Sequence, residues 1–337
     1  MRIINAAHAA REATAQLLAE DPSYIVIGEG CDDPAACFET TRNLHTDFPG
    51  RVFDSPISEN GVTGVCVGAA LNGLKPIHIH MRQDFLLYAA DQIINSAAKW
   101  NYMFAGRAGN VPMVIKAFTG RGWGAGSQHA QDLESIFAHI PGLKVVCPSS
   151  ARNAKGLLIS AARDPNPVMI LEHRWIHHLT SDVPEEMYET PIGKAEVYGD
   201  CTKNVVITWG AMVSEALRAR SINDDISVVD LQTLRPLDKK AIYNACKDAL
   251  NVCVVAGSWE TGLASIVARL VDVNLYDRNC TILAAPDFYP SATPALIKDY
   301  YPTYLTILKH RCGPAAAEGH LPSEHHDIPD KSFTGPF

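Results

Sequence analysis

The chain has 337 residues, 47% of them hydrophobic, and a formal net charge of −8. That apolar content excludes disordered and fibrous classes, and the length favours two domains. With an acidic excess and no Lys/Arg block, the surface is not one that neutralises nucleic-acid phosphates or anionic lipid, and no stretch approaches the roughly 20 apolar residues that span a bilayer.

The first twenty residues, MRIINAAHAAREATAQLLAE, are interrupted by Arg11, Glu12 and Glu20 and do not read as a signal peptide. Short β-branched runs then alternate with helical patterns: YIVIG (24–28), KPIHIH (75–80), VPMVIKA (111–117), LKVVCP (143–148) and PVMILE (167–172). In SSARNAKGLLISAARD, Ser149 or Ser150 is placed to cap, and Ala154, Leu157, Leu158 and Ala161 share one helix face. A polar, Pro-containing stretch, LTSDVPEEMYETPIG (179–193), interrupts the alternation, which restarts with VVIT, ISVVDL, NVCVVAG and CTILAA. This pattern predicts an α/β chain of two domains, each a mostly parallel sheet flanked by helices. The expected divisions are residues 1–180, a linker at 181–195, a second domain at 196–312 and a mobile tail at 313–337. Nine cysteines without a CxxC pair, several in strand-like runs, predict reduced, buried thiols and a cytoplasmic protein.

Several standard sites are absent: there is no GxxxxGK[ST], HExxH or GxSxG, and TGRGWGAGSQH (119–129) does not fit GxGxxG. His173 and His177 sit at the spacing of one helix face, and His78 and His80 at that of one strand face. With no third ligand at recognisable spacing, ordinary strand-edge or interface histidines are the favoured reading. Ser58-Glu59 reads as an N-cap with an acid in the first turn, where it complements the helix dipole. Gly61, Gly64 and Gly68 fall on nearly one face of the same helix, which predicts a close helix crossing at an interface. An acid held there is shielded from water and suited to sharing a proton with a bound base.

The run PISENGVTGVCVGAALNGLKPI, followed by DQIINSAAK (91–99), SQHAQD (127–132) and PGLKVVCPSSARNAKGLLISAARDPNPVMILE (141–172), resembles the β subunit of the thiamine-diphosphate-dependent dehydrogenase component of 2-oxo acid dehydrogenase complexes. The match is collinear from about residue 10 to 175 and continues more loosely to about 310. It implies a transketolase-like pyrimidine-binding domain followed by a transketolase C-terminal-like domain. It also implies that Glu59 hydrogen-bonds a ring nitrogen of the aminopyrimidine and drives it to its imino tautomer. Phe85 then stacks on that ring, Ile57 lies among the cofactor-binding residues, and His129 handles protons and the incoming acceptor. Without the resemblance, Phe85 reads as a core aromatic after an Asp84 cap.

Glu29 matches the first of two adjacent acids that link paired active sites in the family, but the second position is Gly30. Asp91 and Asn95 match a polar helix face at a subunit interface, with intrahelical pairing to Lys99 as the plainer reading. Asp164 and Asn166 fall in a monovalent-cation loop, which implies K⁺. The family binds Mg²⁺ and the diphosphate on a GDG…N motif. The only similar stretch here, Gly199-Asp200-Cys201, lies in the second domain and lacks the second glycine. The resemblance therefore implies an α₂β₂ heterotetramer whose α subunit supplies the Mg²⁺-diphosphate site, a 2-oxo acid substrate and a lipoylated acyltransferase as acceptor. His80, Trp123, GSWETG (257–262) and DFYPSATPAL (287–296) depart from the family on the acceptor side. This keeps open a carboligase that uses an aldehyde or a second 2-oxo acid. A non-catalytic scaffold subunit is a third reading, disfavoured by the joint presence of Glu59, Phe85 and His129.

Overall fold

The structure is a computed structural model that describes residues 2–33, 35–120, 125–200, 202–274, 280–297 and 299–321. Strands β1 (Ile3–Asn5), β2 (Tyr24–Gly28), β3 (Val52–Asp54), β4 (Lys75–His80), β5 (Val114–Thr119), β6 (Lys144–Val146), β7 (Val168–His173) and β8 (Thr180–Asp182) belong to the first half. In the second half follow β9 (Glu196–Tyr198), β10 (Asn204–Thr208), β11 (Ile226–Asp230), β12 (Thr233–Arg235), β13 (Asn251–Trp259) and β14 (Cys280–Ala285).

Two sheets dominate. One has the order β12-β6-β7-β5-β4-β2-β3 and the other β14-β13-β10-β11-β9. All their pairings are parallel except β12 with β6 and β9 with β11, both edge pairs. The central strands are buried throughout, because helices cover both faces of a parallel sheet, and β5, β7, β10 and β11 accordingly read as nearly continuous apolar runs. The helix Ala151–Arg163 opens with a capping box: Ser150 Oγ accepts from the Asn153 N–H, and Asn153 Oδ1 from the Ser150 N–H. Its predicted apolar face, Ala154, Leu157, Leu158 and Ala161, is buried.

The expected linker at 181–195 is tied down. β8 pairs antiparallel with β1, and the Lys155 ammonium donates to the Pro184 and Glu185 carbonyls. β12 leaves the second half to become the edge strand of the first sheet. Two apolar clusters join the halves, one running from Val145 and Met169 to Val205, Ile207 and Val229, the other from Ala151 and Trp175 to Val206, Met212 and Tyr301. The eight described cysteines are free thiols, six of them buried. No helix among the described residues is long and apolar enough to cross a membrane. The expected tail is described only to Leu321, with a short 3₁₀ turn at Pro314–Ala317.

Candidate active site

β2, β3, β4 and β5 lie in or next to one another in the first sheet and are parallel, so the segments leaving them emerge at the same edge, where open α/β sheets bind ligands. Glu29 follows β2, Ile57 and Glu59 follow β3, Phe85 follows β4 and His129 follows β5. Burial, and next the charge of Glu59, raise the Glu29 carboxyl above its ordinary range, so the two acids share one field. At Gly30, φ is +72° and a Cβ would meet Asp33 Oδ2 and Met81 Cε at 2.9 Å each. The backbone at the position of the family's second acid is thus shaped for glycine.

The helix Glu59–Leu71 begins at Glu59, but Ser58 makes no capping hydrogen bond, contrary to the cap predicted from sequence. The helix is anchored instead one turn in. Thr63 Oγ1 lies 2.6 Å from the Glu59 carbonyl oxygen and 3.0 Å from His78 Nε2, while His78 Nδ1 donates to the Ile27 carbonyl at 3.0 Å. The His80 ring lies 4.1 Å from that of His78, and neither of its nitrogens has a partner among the described residues. Burial pushes His78 down to about 4 and His80 well below its ordinary value, so both rings are neutral. They occupy a central strand, not the strand edge or interface expected from sequence, because β4 is flanked by β2 and β5. Among the described residues no group of three or more His, Cys, Asp or Glu could hold a metal ion.

The predicted close crossing at Gly61, Gly64 and Gly68 is not made among the described residues of this chain. A Cβ at Gly64 would find only the Gln92 side chain, at 3.5 Å, one at Gly61 only Ser58 Oγ, and one at Gly68 nothing within 4 Å among the described residues. The neighbouring segment Asp91–Ala97 is π-helical. Asn95 Nδ2 donates to Asp91 Oδ1 at 2.8 Å and Lys99 Nζ to Asn95 Oδ1 at 2.5 Å, an exposed ladder of the intrahelical kind.

Phe85 and His129 meet edge to face, with ring centroids 5.1 Å apart at 83°. Asp84 is not a cap: it is buried, and its Oδ1 accepts from the Gln131 backbone N–H at 3.3 Å and from Gln131 Nε2 at 2.8 Å. Gln83 Oε1 accepts from the Leu133 N–H at 2.9 Å, and Arg82 Nη1 donates to the Gly120 carbonyl at 2.8 Å. Sequence reasoning missed these three residues. Their signal was a polar triplet directly after an apolar strand, at a point where a surface turn reads the same way.

Behind this edge lies a buried polar interior. Asp132, Glu134, Thr119 and His173 line a cavity of about 20 Å³, room for one water, closed by Trp209 and Gly257 of the second half. Burial, and then the Glu134 charge, hold Asp132 well above its ordinary value, while burial lowers His173 to about 3. Glu172 accepts from His177 Nε2 at 3.1 Å and pairs with the Lys116 ammonium at 3.3 Å. Burial opposes the Glu172 charge, but Lys116 and His177 outweigh it and the carboxyl sits below its ordinary value. His173 and His177 therefore do not share a helix face: one ends β7, and the other lies in a 3₁₀ turn bonded to Glu172.

The second half reaches the His129 segment from the far side. Tyr301 Oη donates to the Ala130 carbonyl at 3.4 Å, and an open groove separates Ala125–His129 from Tyr289–Ala292. In GSWETG, Trp259 Nε1 donates to the Phe288 carbonyl at 3.1 Å and its ring meets Tyr289 edge to face. Trp123 lies outside the described residues. Asp164 and Asn166 precede β7 and so lie at the opposite edge of the sheet, where the Lys144 ammonium pairs with the Asp164 carboxylate.

Residues 3–176 match the family model described as the transketolase pyrimidine-binding domain, and residues 193–307 the transketolase C-terminal domain. The chain is 39% identical over 261 residues to the acetoin:2,6-dichlorophenolindophenol oxidoreductase β subunit of Cupriavidus necator, covering 73% of this chain and 77% of that protein. It is 35% identical over 280 residues to the pyruvate dehydrogenase E1 component β subunit of Rickettsia felis, covering 81% and 86%. Against the mitochondrial E1 β-1 subunit of Arabidopsis thaliana it is 40% identical over 266 residues, covering 76% and 73%. Among solved structures, a split-gene transketolase described as an inactive β4 tetramer aligns with TM-score 0.72 at 22% identity, covering 94% of this chain and 97% of that one.

Proposed function

Because this chain belongs to the transketolase family, on the branch of the β subunits of thiamine-diphosphate-dependent 2-oxo acid dehydrogenases, we propose that it supplies the pyrimidine half of an active site completed by an α subunit, decarboxylating a 2-oxo acid and handing the remaining unit to an acceptor. The observation that carries this reading is the convergence of Glu59, Phe85 and His129 at one sheet edge. The residues fit the ring end of the cofactor: Ile57 is 85% exposed, Phe85 is half-buried, and the Glu59 carboxylate stands at a helix mouth. They do not supply a site for the diphosphate and Mg²⁺, which is assigned to the partner chain in an α₂β₂ assembly.

When bound, thiamine diphosphate would supply a carbon nucleophile and an electron sink for decarboxylation of a 2-oxo acid. Glu59 would accept a hydrogen bond from the ring nitrogen and favour its protonated form. Phe85 and Ile57 would present apolar surface to the ring. His129, held against Phe85, donates or accepts a proton on the acceptor side. The open stripe of Gly61, Gly64 and Gly68 and the exposed Asp91-Asn95 face are assigned to subunit contacts, with Glu29 linking paired sites without the second acid. Asp164 and Asn166 are assigned to a K⁺ loop. The free thiols support a reducing compartment such as the cytoplasm.

The acceptor in this reading is a lipoyl carrier on an acyltransferase. The relative named for acetoin favours a second reading, in which an acyloin is made or cleaved with the same cofactor. Co-expression with the α subunit, followed by product analysis over a panel of 2-oxo acids with and without a lipoyl domain, separates the two. Glu59→Gln tests both: turnover falls by several orders of magnitude with folding intact, and activity within tenfold of the parent, about 1.4 kcal/mol, refutes the assignment.

A further inference from the structure

The triplet Arg82-Gln83-Asp84 sits between the end of β4 and Phe85, and each of its side chains is buried and turned onto one segment. Arg82 holds the Gly120 carbonyl, where that segment leaves β5. Asp84 holds both nitrogens of Gln131, two residues beyond His129, and Gln83 holds the Leu133 N–H. The His129-bearing segment is thereby gripped before and after the histidine by the residues that immediately precede its ring partner Phe85. Helix packing alone would not do this. Three of the four contacts are to main-chain groups and the fourth, the shorter of the two from Gln131, is to its side-chain amide, so the grip depends on that side chain as well as on the backbone.

We propose that Arg82, Gln83 and Asp84 are positioning residues that set the distance between the Phe85 ring and His129, and so set the rate at which the reacting unit passes to its acceptor. The inference rests on the roles given above to Phe85 and His129. Asp84 is the member best suited to test it. Asn at this position keeps the oxygen that accepts from Gln131, whereas Ala removes it. A displacement of about 1 Å at a proton-transferring side chain is enough to cost about 100-fold.

The experiment uses the chain complexed with its α subunit and compares Asp84→Ala, Asp84→Asn, Gln131→Ala and the double variant Asp84→Ala/Gln131→Ala. Amide hydrogen exchange at Gln131 and Leu133 is read beside the separate rates of decarboxylation and of transfer. Asp84→Ala and Gln131→Ala are each expected to speed exchange at these amides at least tenfold. They slow transfer at least tenfold while leaving KM for the 2-oxo acid within about threefold. Asp84→Asn stays within about threefold of the parent in all readouts, and the double variant is no slower than the worse single. The proposal is overturned if Asn is as impaired as Ala, if the two single effects multiply, or if exchange at these amides does not change. If the amides loosen as expected while His129→Ala and Phe85→Ala retain full activity, the clamp stands as a backbone device but its role in transfer falls, together with the reading of the site.

Discussion

Asp230 closes β11 with its carboxylate fully buried against the first half of the chain, where the Ser149 hydroxyl donates to Oδ2 and the Gln232 N–H donates to Oδ1 at 3.1 Å. No cation pairs with it among the described residues, and burial raises its carboxyl from 3.8 to about 7. The folded chain thus holds a proton that the unfolded chain releases near pH 4, which fixes the sign. The contribution of this group is fully present below pH 3.8, falls as pH rises, and is lost by about pH 7. That interval corresponds to about 4 kcal/mol at 1.36 kcal/mol for each tenfold change in proton affinity. Asp230→Asn mimics the protonated group at every pH. Urea unfolding of both proteins from pH 4 to 8 measures the difference, which should move by about 4 kcal/mol in favour of the Asn variant, with m unchanged. A difference that stays constant within about 1 kcal/mol, or that grows in favour of the parent as pH rises, refutes the buried-proton argument.

Glu172→Ala leaves the Lys116 ammonium, itself only 1% exposed, without its counter-charge, and should cost about 3–5 kcal/mol in the same unfolding assay. Pairing Lys116→Met with Glu172→Leu should recover most of that loss. Gly64→Leu, on the open face beside Gln92, should leave the isolated chain as stable as the parent within about 1 kcal/mol while blocking association with the α subunit in sedimentation velocity. His129→Ala should slow transfer to the acceptor at least tenfold more than pre-steady-state decarboxylation; equal losses in both steps would place His129 in the first chemical step.

Three of the four strands that carry the site, β2, β4 and β5, were legible because runs such as YIVIG and KPIHIH declare themselves over five or six residues. Three-residue strands at Val52–Asp54, Thr180–Asp182, Glu196–Tyr198 and Thr233–Arg235 are too short for periodicity to register. The two-residue spacing of His78 and His80 correctly puts them on one face. Whether that face is an edge or the middle of a sheet depends on strand order, which residue type does not encode. Glu59, Phe85 and His129 were identifiable through resemblance, since by composition each is an ordinary turn or core residue. Asp84 was misjudged because a carboxylate just before a helical turn favours capping locally, and only the tertiary approach of Gln131 offered it a better donor.

The strand Thr233–Arg235 changes how this protein can be cut and recombined. A crossover placed in the stretch between the two halves looks natural from sequence, yet it would separate Lys144–Val146 from the strand that covers it. The shortened product would present a bare, apolar β-edge, the kind that recruits a stray chain. A junction after Arg235 keeps that border strand with its sheet but parts β10 and β11 from β13 of the second sheet, so either junction divides one of the two sheets between donors. In a chimera joined near residue 190 the strand covering Lys144–Val146 comes from the other donor, so its fit to Val145 and Val146 decides whether that edge is closed.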